Sequence, residues 1–459
     1  MLRICLTVIM SLSVLGAMAE DGSIRASAGE IVENIACKAD PTQTYTLYLP
    51  TTFENTRKWP VLLVFDPRGR SVRAAELFRE AADRYGWIIV SSDNTRSDGA
   101  WEPNVAALKA LWPEIQGRLP ADPRRIYATG FSGGAAVAYL LARTTDEVAG
   151  IIACGGRYFP DHIEGTKAAI FATAGATDFN NDDMHLVAEF MEGQKSPGRI
   201  EIFDGGHSWM PVPVATEAVA WMELIAMQRG LREVDETFVA LQWKTDLESV
   251  DSLVADGREL DASRRLREME GTYDGLKDLK EMHFRAEDIE KSAVYRSQKK
   301  ANRRSRSFWR DCRDNVNRTM TEMSQSEKPP KKTRLERDLR LKELITQSDE
   351  DGVMGEAAQQ CLNTAYASLS FYLPRDLAAA ERYADLATSY DLALSIRDNS
   401  PVIWYNLACA RARLGRADDA VSALARALDL GFNQRDLMRT DSDLDSLRDR
   451  KDFKELLDR

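Results

Sequence analysis

The sequence predicts an α/β domain on a largely parallel sheet, followed by an all-α region. Three observations predict this. Between about residues 43 and 229, short apolar runs alternate with amphipathic helical stretches, the pattern of helices laid on a parallel sheet. Several runs are continuous in Val, Ile and Leu rather than alternating, as strands buried on both faces require. Beyond Gly230 the strand pattern stops, Gly is scarce, and Leu, Ala, Glu and Arg dominate, a composition that favours helix.

The elements follow in order. Strands are expected at 44–49, 61–65, 87–91, 125–130, 150–154, 168–174 and 199–203, with helices at 72–84, 105–117, 134–144, 182–193 and 214–229. Before them, Met1-Leu2-Arg3 is a short basic start and 4–15 an apolar run too short to span a bilayer comfortably. Ala17-Met18-Ala19 then supplies the small-x-small pattern of a signal-peptidase site. The expectation is a signal peptide over 1–19, an exported (periplasmic or secreted) protein, and no stable membrane span. The remaining chain divides into 20–229, a helical region 230–350, and helical repeats over 351–459.

Composition excludes several classes. The chain of 459 residues is 44% hydrophobic and 29% charged, unlike a disordered, collagen-like or polytopic membrane protein. Lys plus Arg (61) against Asp plus Glu (72) gives −11, which argues against a general nucleic-acid binder. Four His and six Cys are too few and too scattered for an array of metal fingers. In an oxidising compartment Cys37 and Cys154 either pair or stay as small buried apolar residues.

Within the helical half, 291–310 carries Lys291, Arg296, Lys299, Lys300, Arg303, Arg304, Arg306 and Arg310 and no acid. It is a solvated helix face or a contact for an anionic partner. Adjacent Pro329 and Pro330 mark a loop. In 401–432, Trp404, Leu407, Ala408, Gly415, Ala420, Leu424 and Ala427 have the spacing of a helix–turn–helix repeat. This resembles a tetratricopeptide repeat, with Arg411 where an aromatic is often found. A single repeat cannot bury its own faces, so 375–394 is read as the second helix of a preceding unit and 441–457 as a closing cap. Such repeats serve a protein partner or simply buttress the first domain.

The chemistry lies in the first half. Gly130-Phe131-Ser132-Gly133-Gly134 fits G-x-S-x-G and sits between an expected strand and helix, the context of a nucleophile elbow. Small residues are needed two before and two after the serine, where side chains would strike the neighbouring strand and helix. A serine hydroxyl needs a base and an orienting acid. Asp178 follows the strand ending near Ala174, and His207 follows the next strand in the glycine loop Gly205-Gly206-His207. The order Ser132, Asp178, His207 is the one this fold uses. Asp182 and Asp183 compete as acids but suit a first helical turn. Of the other histidines, His162 and His283 read as surface or helical, and His185 is a weak substitute. Oxyanion donors are expected from the N–H of Gly133 and from the loop Asp66-Pro67-Arg68-Gly69, where Pro67 has no N–H and Arg68 is the better donor. That loop also lacks G-x-G-x-x-G, which disfavours dinucleotide binding.

These pieces, with Tyr45–Pro50, Pro60–Asp66, Gly175–Asp178 and Gly205–Trp209, resemble an α/β-hydrolase of the secreted polyhydroxybutyrate-depolymerase and feruloyl-esterase group. The resemblance spans residues about 30–229. It implies a carboxylic-ester hydrolase without metal or cofactor. Lid domains of this fold are commonly inserted between the strands ending at Cys154 and starting at Ala168, where little chain is available. The expectation is therefore no lid and an open site for a bulky, polymeric or carbohydrate-linked ester, lined by Trp101, Tyr158, Phe159 and Trp209. A peptidase or acyltransferase on the same triad, and an inactive scaffold binding through its helices, are the competing classes.

Overall fold

The computed structural model describes residues 26–97, 100–157, 164–193, 197–326 and 330–458. The signal-peptide expectation over 1–19, Tyr158, Phe159, His162 and Pro329 therefore lie outside the described residues. By their contacts the residues form two units. One runs to Ala176 and resumes over Asp183–Ser292; the other joins Thr177–Asp182 to the chain from Ala293 onward.

The first unit is built on eight strands: β1 (Ile31–Ala36), β2 (Thr44–Tyr48), β3 (Trp59–Phe65), β4 (Ile88–Ser92), β5 (Ala121–Phe131), β6 (Val148–Cys154), β7 (Ala169–Gly175) and β8 (Gly198–Phe203). They lie in the order β1-β2-β4-β3-β5-β6-β7-β8. The pairs β1–β2 and β2–β4 are antiparallel and the rest parallel. This is an α/β-hydrolase fold. Its helices are α1 (Ser71–Tyr85), α2 (Glu102–Gly117), α3 (Gly133–Thr144), α4 (Asp183–Gly193) and α5 (Val212–Gln228). The continuous apolar runs are explained by the pleat. In β3, Val61, Leu63 and Phe65 enter one core cluster while Leu62 and Val64 enter the other, so neither face of the strand meets water.

All seven expected strands are present, and β1 is additional. Its residues Glu33 and Asn34 are exposed, and Asn34 has φ 56° at a register shift between Val32 and Ile35. The bulge erases the alternation that would have announced an edge strand. Cys37 and Cys154 are buried in different core clusters and form no disulfide with each other, as the reading of two small buried residues requires. The connection 155–168 between β6 and β7 is too short for an inserted lid domain.

The first unit continues past the expected break at 229/230, through α6 (Glu236–Ala255), α7 (Glu259–Tyr273) and α8 (Lys280–Glu290). Leu224 and Met227 of α5 share a core with Val239, Val250, Leu266, Met269 and Tyr273. Trp221 Nε1 donates to Thr272 Oγ1 at 2.9 Å. The sequence of α5 is apolar nearly all round, and a helix of that kind must be covered on more than its sheet-facing side.

The second unit comprises α9 (Ala293–Gln325), α10 (Lys332–Asp338), α11 (Leu341–Ser348), α12 (Val353–Ala367), a π-turn at Ser368–Tyr372, α13 (Leu373–Ala379), α14 (Tyr383–Ile396), α15 (Pro401–Arg413), α16 (Ala417–Asp429), α17 (Arg435–Thr440), a 3₁₀ turn at Ser442–Leu447 and α18 (Lys451–Asp458). Small residues let α15 and α16 approach: Ala408, Ala412, Ala420, Ala423 and Ala427 are buried together with Leu424. The expected single helix over 375–394 is two helices, broken where Glu381 takes φ 54°. No helix among the described residues is long and apolar enough to cross a membrane.

Candidate active site

Ser132 joins β5 to α3 and holds φ 53°, ψ −120°, a region that costs a non-glycine residue strain and recurs at functional turns. Packing enforces it from both sides. A Cβ on Gly130 would stand 2.1 Å from the backbone of Gly134, and one on Gly134 would stand 1.9 Å from the Phe65 carbonyl oxygen of β3. The helix therefore lies closer to the sheet than any side chain at these two positions permits. Ser132 N–H donates to the Cys154 carbonyl at 2.9 Å, which ties the turn to the end of β6.

The loop after β8 brings a histidine to this turn. His207 Nε2 lies 3.0 Å from Ser132 Oγ, within reach of direct proton transfer, and its ring packs on Phe131 at 4.7 Å. That loop is seated against β7: a Cβ on Gly175 would stand 2.4 Å from the carbonyl oxygens of both Gly205 and Gly206. Cys154 anchors it further, since Met210 N–H donates to Cys154 Sγ at 3.2 Å. The N–H of Gly133 opens α3, where the first helical amides have no intrahelical acceptor and the helix dipole favours negative charge. Ser97 closes over this end of the helix, its Cβ only 2.3 Å from where a Cβ on Gly133 would stand.

Asp178 is fully buried, in the loop between β7 and α4. Its Oδ1 accepts from Asn180 N–H at 2.8 Å, and its carbonyl accepts from Asn181 N–H at 2.9 Å. Asp183 opens α4 as a first-turn acid.

Solved structures similar to this chain include a fluorophosphonate-binding serine hydrolase of Staphylococcus aureus, 12% identical with a TM-score of 0.36 over 43% of this chain and 99% of that one. A ferulic acid esterase is 18% identical, with a TM-score of 0.36 over 43% and 98% of the two chains. An S-formylglutathione hydrolase of Staphylococcus aureus is 11% identical, with a TM-score of 0.36 over 43% and 98%. No family model and no curated protein matches the sequence.

The other residues singled out in the sequence lie as follows. The amide of Arg68, expected to face an oxyanion, donates to Asp66 Oδ1 at 2.8 Å; the carboxylate at the end of β3 captures it in a tight local turn. The Arg68 guanidinium is exposed. Trp209, expected to line the substrate site, donates from Nε1 to Asp66 Oδ2 at 2.8 Å, lies tilted against Phe131 and meets Phe78 edge-on. It is half-buried and packs against the second core. Trp101 stands exposed at the start of α2.

No sequence motif names Asp66. It is fully buried and accepts from Arg70 Nε and a terminal guanidinium nitrogen, both at 3.0 Å. Burial pushes its carboxyl up, but the hydrogen bonds from Arg70, Trp209 and the amides of Arg68 and Arg70 outweigh it and hold the group below the usual carboxylate range. The available signal was an acid directly after a wholly apolar strand.

Proposed function

We propose that this chain is an exported serine hydrolase that cleaves carboxylic esters through an acyl-enzyme on Ser132. The observation that carries the reading is the 3.0 Å separation of His207 Nε2 and Ser132 Oγ, at a residue held in a strained turn between strand and helix. His207 takes the hydroxyl proton as Ser132 Oγ adds to the ester carbonyl carbon. The Gly133 N–H stabilises the oxyanion. Collapse of the tetrahedral adduct expels the alcohol, which leaves with the proton from His207. Water then adds to the acyl-enzyme by the same exchange, releasing the acid and restoring the serine. In this reading Asp178 is the acid that keeps His207 in the tautomer with Nε2 free to accept, and the N-terminal 19 residues direct export. With its amide turned to Asp66, Arg68 would act only through its exposed guanidinium, toward an anionic substrate group.

The test is hydrolysis of short-chain, aromatic and sugar-acetyl esters, with matched amides beside them, together with labelling by a fluorophosphonate. Wild type is expected to turn over at least one ester class and to be labelled. Ser132→Ala is expected to lose labelling and about 10⁴-fold or more in kcat. Undiminished hydrolysis by Ser132→Ala overturns the nucleophile, and a wild type that neither labels nor turns over any substrate overturns the enzyme reading.

A further inference from the structure

The loop 177–182 leaves β7 and enters α4, yet by its contacts it belongs with the helical residues from Ala293 onward. The contacts that place it there are specific. Three side chains of α12, spaced i, i+3, i+4 on one helix face, donate to three consecutive carbonyls of the loop. Asn363 Nδ2 donates to Thr177 O at 3.1 Å, Gln360 Nε2 donates to Asp178 O, and Thr364 Oγ1 donates to Phe179 O at 3.4 Å. Gln360 and Asn363 are buried.

The amides have a defined orientation. Asn363 Oδ1 accepts from Gln359 Nε2 at 3.1 Å and from the Arg397 guanidinium, so its nitrogen is the end turned to Thr177. That nitrogen also donates to Gln360 Oε1 at 3.3 Å, which leaves Gln360 Nε2 to serve the Asp178 carbonyl. A relay thus runs from Arg397 through Asn363 and Gln360 to the loop. Its geometric effect is local. The Thr177 carbonyl lies in the peptide plane before Asp178 Cα and the Asp178 carbonyl in the plane after it. Because peptide units are planar, holding both planes fixes φ and ψ of Asp178 and hence the direction of its Cα–Cβ bond.

We infer that Gln360 and Asn363 are positioning residues for the catalytic acid, so that the helical region sets the aim of Asp178. This rests on the assignment of Asp178 in the proposed function. The same chemistry would not be needed merely to bury a loop: apolar packing does that without ordering two buried amides, each of which costs free energy unless fully paired.

The experiment is a double-mutant cycle on the full-length protein with a chromogenic ester. The isosteric pair Gln360→Met and Asn363→Leu removes both donors. In the wild-type background it is expected to lower kcat by about 10–100-fold with KM nearly unchanged, since misplacing a reacting group by a fraction of an ångström to an ångström has that effect. In the Asp178→Asn background, itself about 10⁴-fold down, the same pair is expected to change kcat less than about twofold, because residues acting as a unit are non-additive. An unchanged kcat in the first background, or an equal loss in both, overturns the inference. Undiminished activity of Asp178→Asn alone overturns the acid assignment and this inference with it. Should the pair fail to fold, Asn363→Leu alone carries the same readouts with a smaller fold-change.

Discussion

Asp66 shows how a single buried charge can organise this end of the sheet. Its two oxygens gather the Arg70 side chain, two amides of the following loop and the indole of Trp209, so it ties the loop after β3 to the loop that carries His207. Asp66→Asn keeps one acceptor oxygen but loses the charge, and is expected to lower stability at neutral pH by about 2–3 kcal/mol. The pH dependence has a definite sign. The carboxyl titrates lower in the folded protein than its usual value, so the unfolded chain binds the proton first as pH falls. The stabilisation is therefore complete above about pH 5 and is lost as the pH drops through the ordinary carboxylate range toward the lowered value. Urea unfolding at pH 7 and pH 4 should show wild type losing more stability on acidification than Asp66→Asn. Equal losses would mean Asp66 is not the group responsible. At this scale the sequence was legible where chemistry demands a pattern: Ser132 and His207 announce themselves by glycines that the backbone approach requires. It was illegible for Arg68 and Trp209, because their partner, Asp66, is named by no motif and is revealed only when two loops meet.

Among the elements, strands with two buried faces were the easiest to read and edges the hardest. The π-turn at Ser368–Tyr372 and the break at Glu381 lie in sequence that is helical in composition, so propensity gave no warning of either. The basic run lies on a helical face. On α9, Lys299, Lys300, Arg303, Arg304 and Arg310 are exposed and fall within one broad stripe at 100° per residue. Lys300 has Arg296 at i−4, Arg303 at i+3 and Arg304 at i+4, a set of like charges in mutual reach. Lys300→Glu converts those repulsions into attractions and is expected to stabilise the protein by on the order of 1 kcal/mol at low salt, less at high salt. Thermal unfolding at two ionic strengths reads it. A gain marks a stripe kept against folding stability, as surfaces committed to a partner are. No gain means the charges are already well solvated and removes the argument for a partner there.

Across the whole chain, the domain order read from the sequence and the grouping of contacts differ in one consequential place. The residues 177–182 are flanked on both sides by the α/β unit but belong by contact to the helical one. No local pattern could have shown this, because the evidence lies in Gln360, Asn363 and Thr364, polar residues on a buried face of a helix more than a hundred residues downstream. The visible anomaly is a polar i, i+3, i+4 set in a helix that is otherwise mostly apolar, an inverted face that implies polar partners without naming them. The grouping predicts the order in which the molecule opens. All seven residues of β7 are buried between β6 and β8, so its amides should exchange only by the largest unfolding event. The amides of Asn180 and Asn181 are bonded within the loop to Asp178, whose carbonyl depends on α12. Native-state hydrogen exchange in rising urea should therefore show 177–182 losing protection together with 353–367 while 169–175 stays protected. Substituting Gln360→Met with Asn363→Leu should speed exchange in 177–182 and leave 169–175 unchanged. A loop that followed β7 through the titration would place its order in the sheet rather than in the helices, and the helical region would have no hold on Asp178.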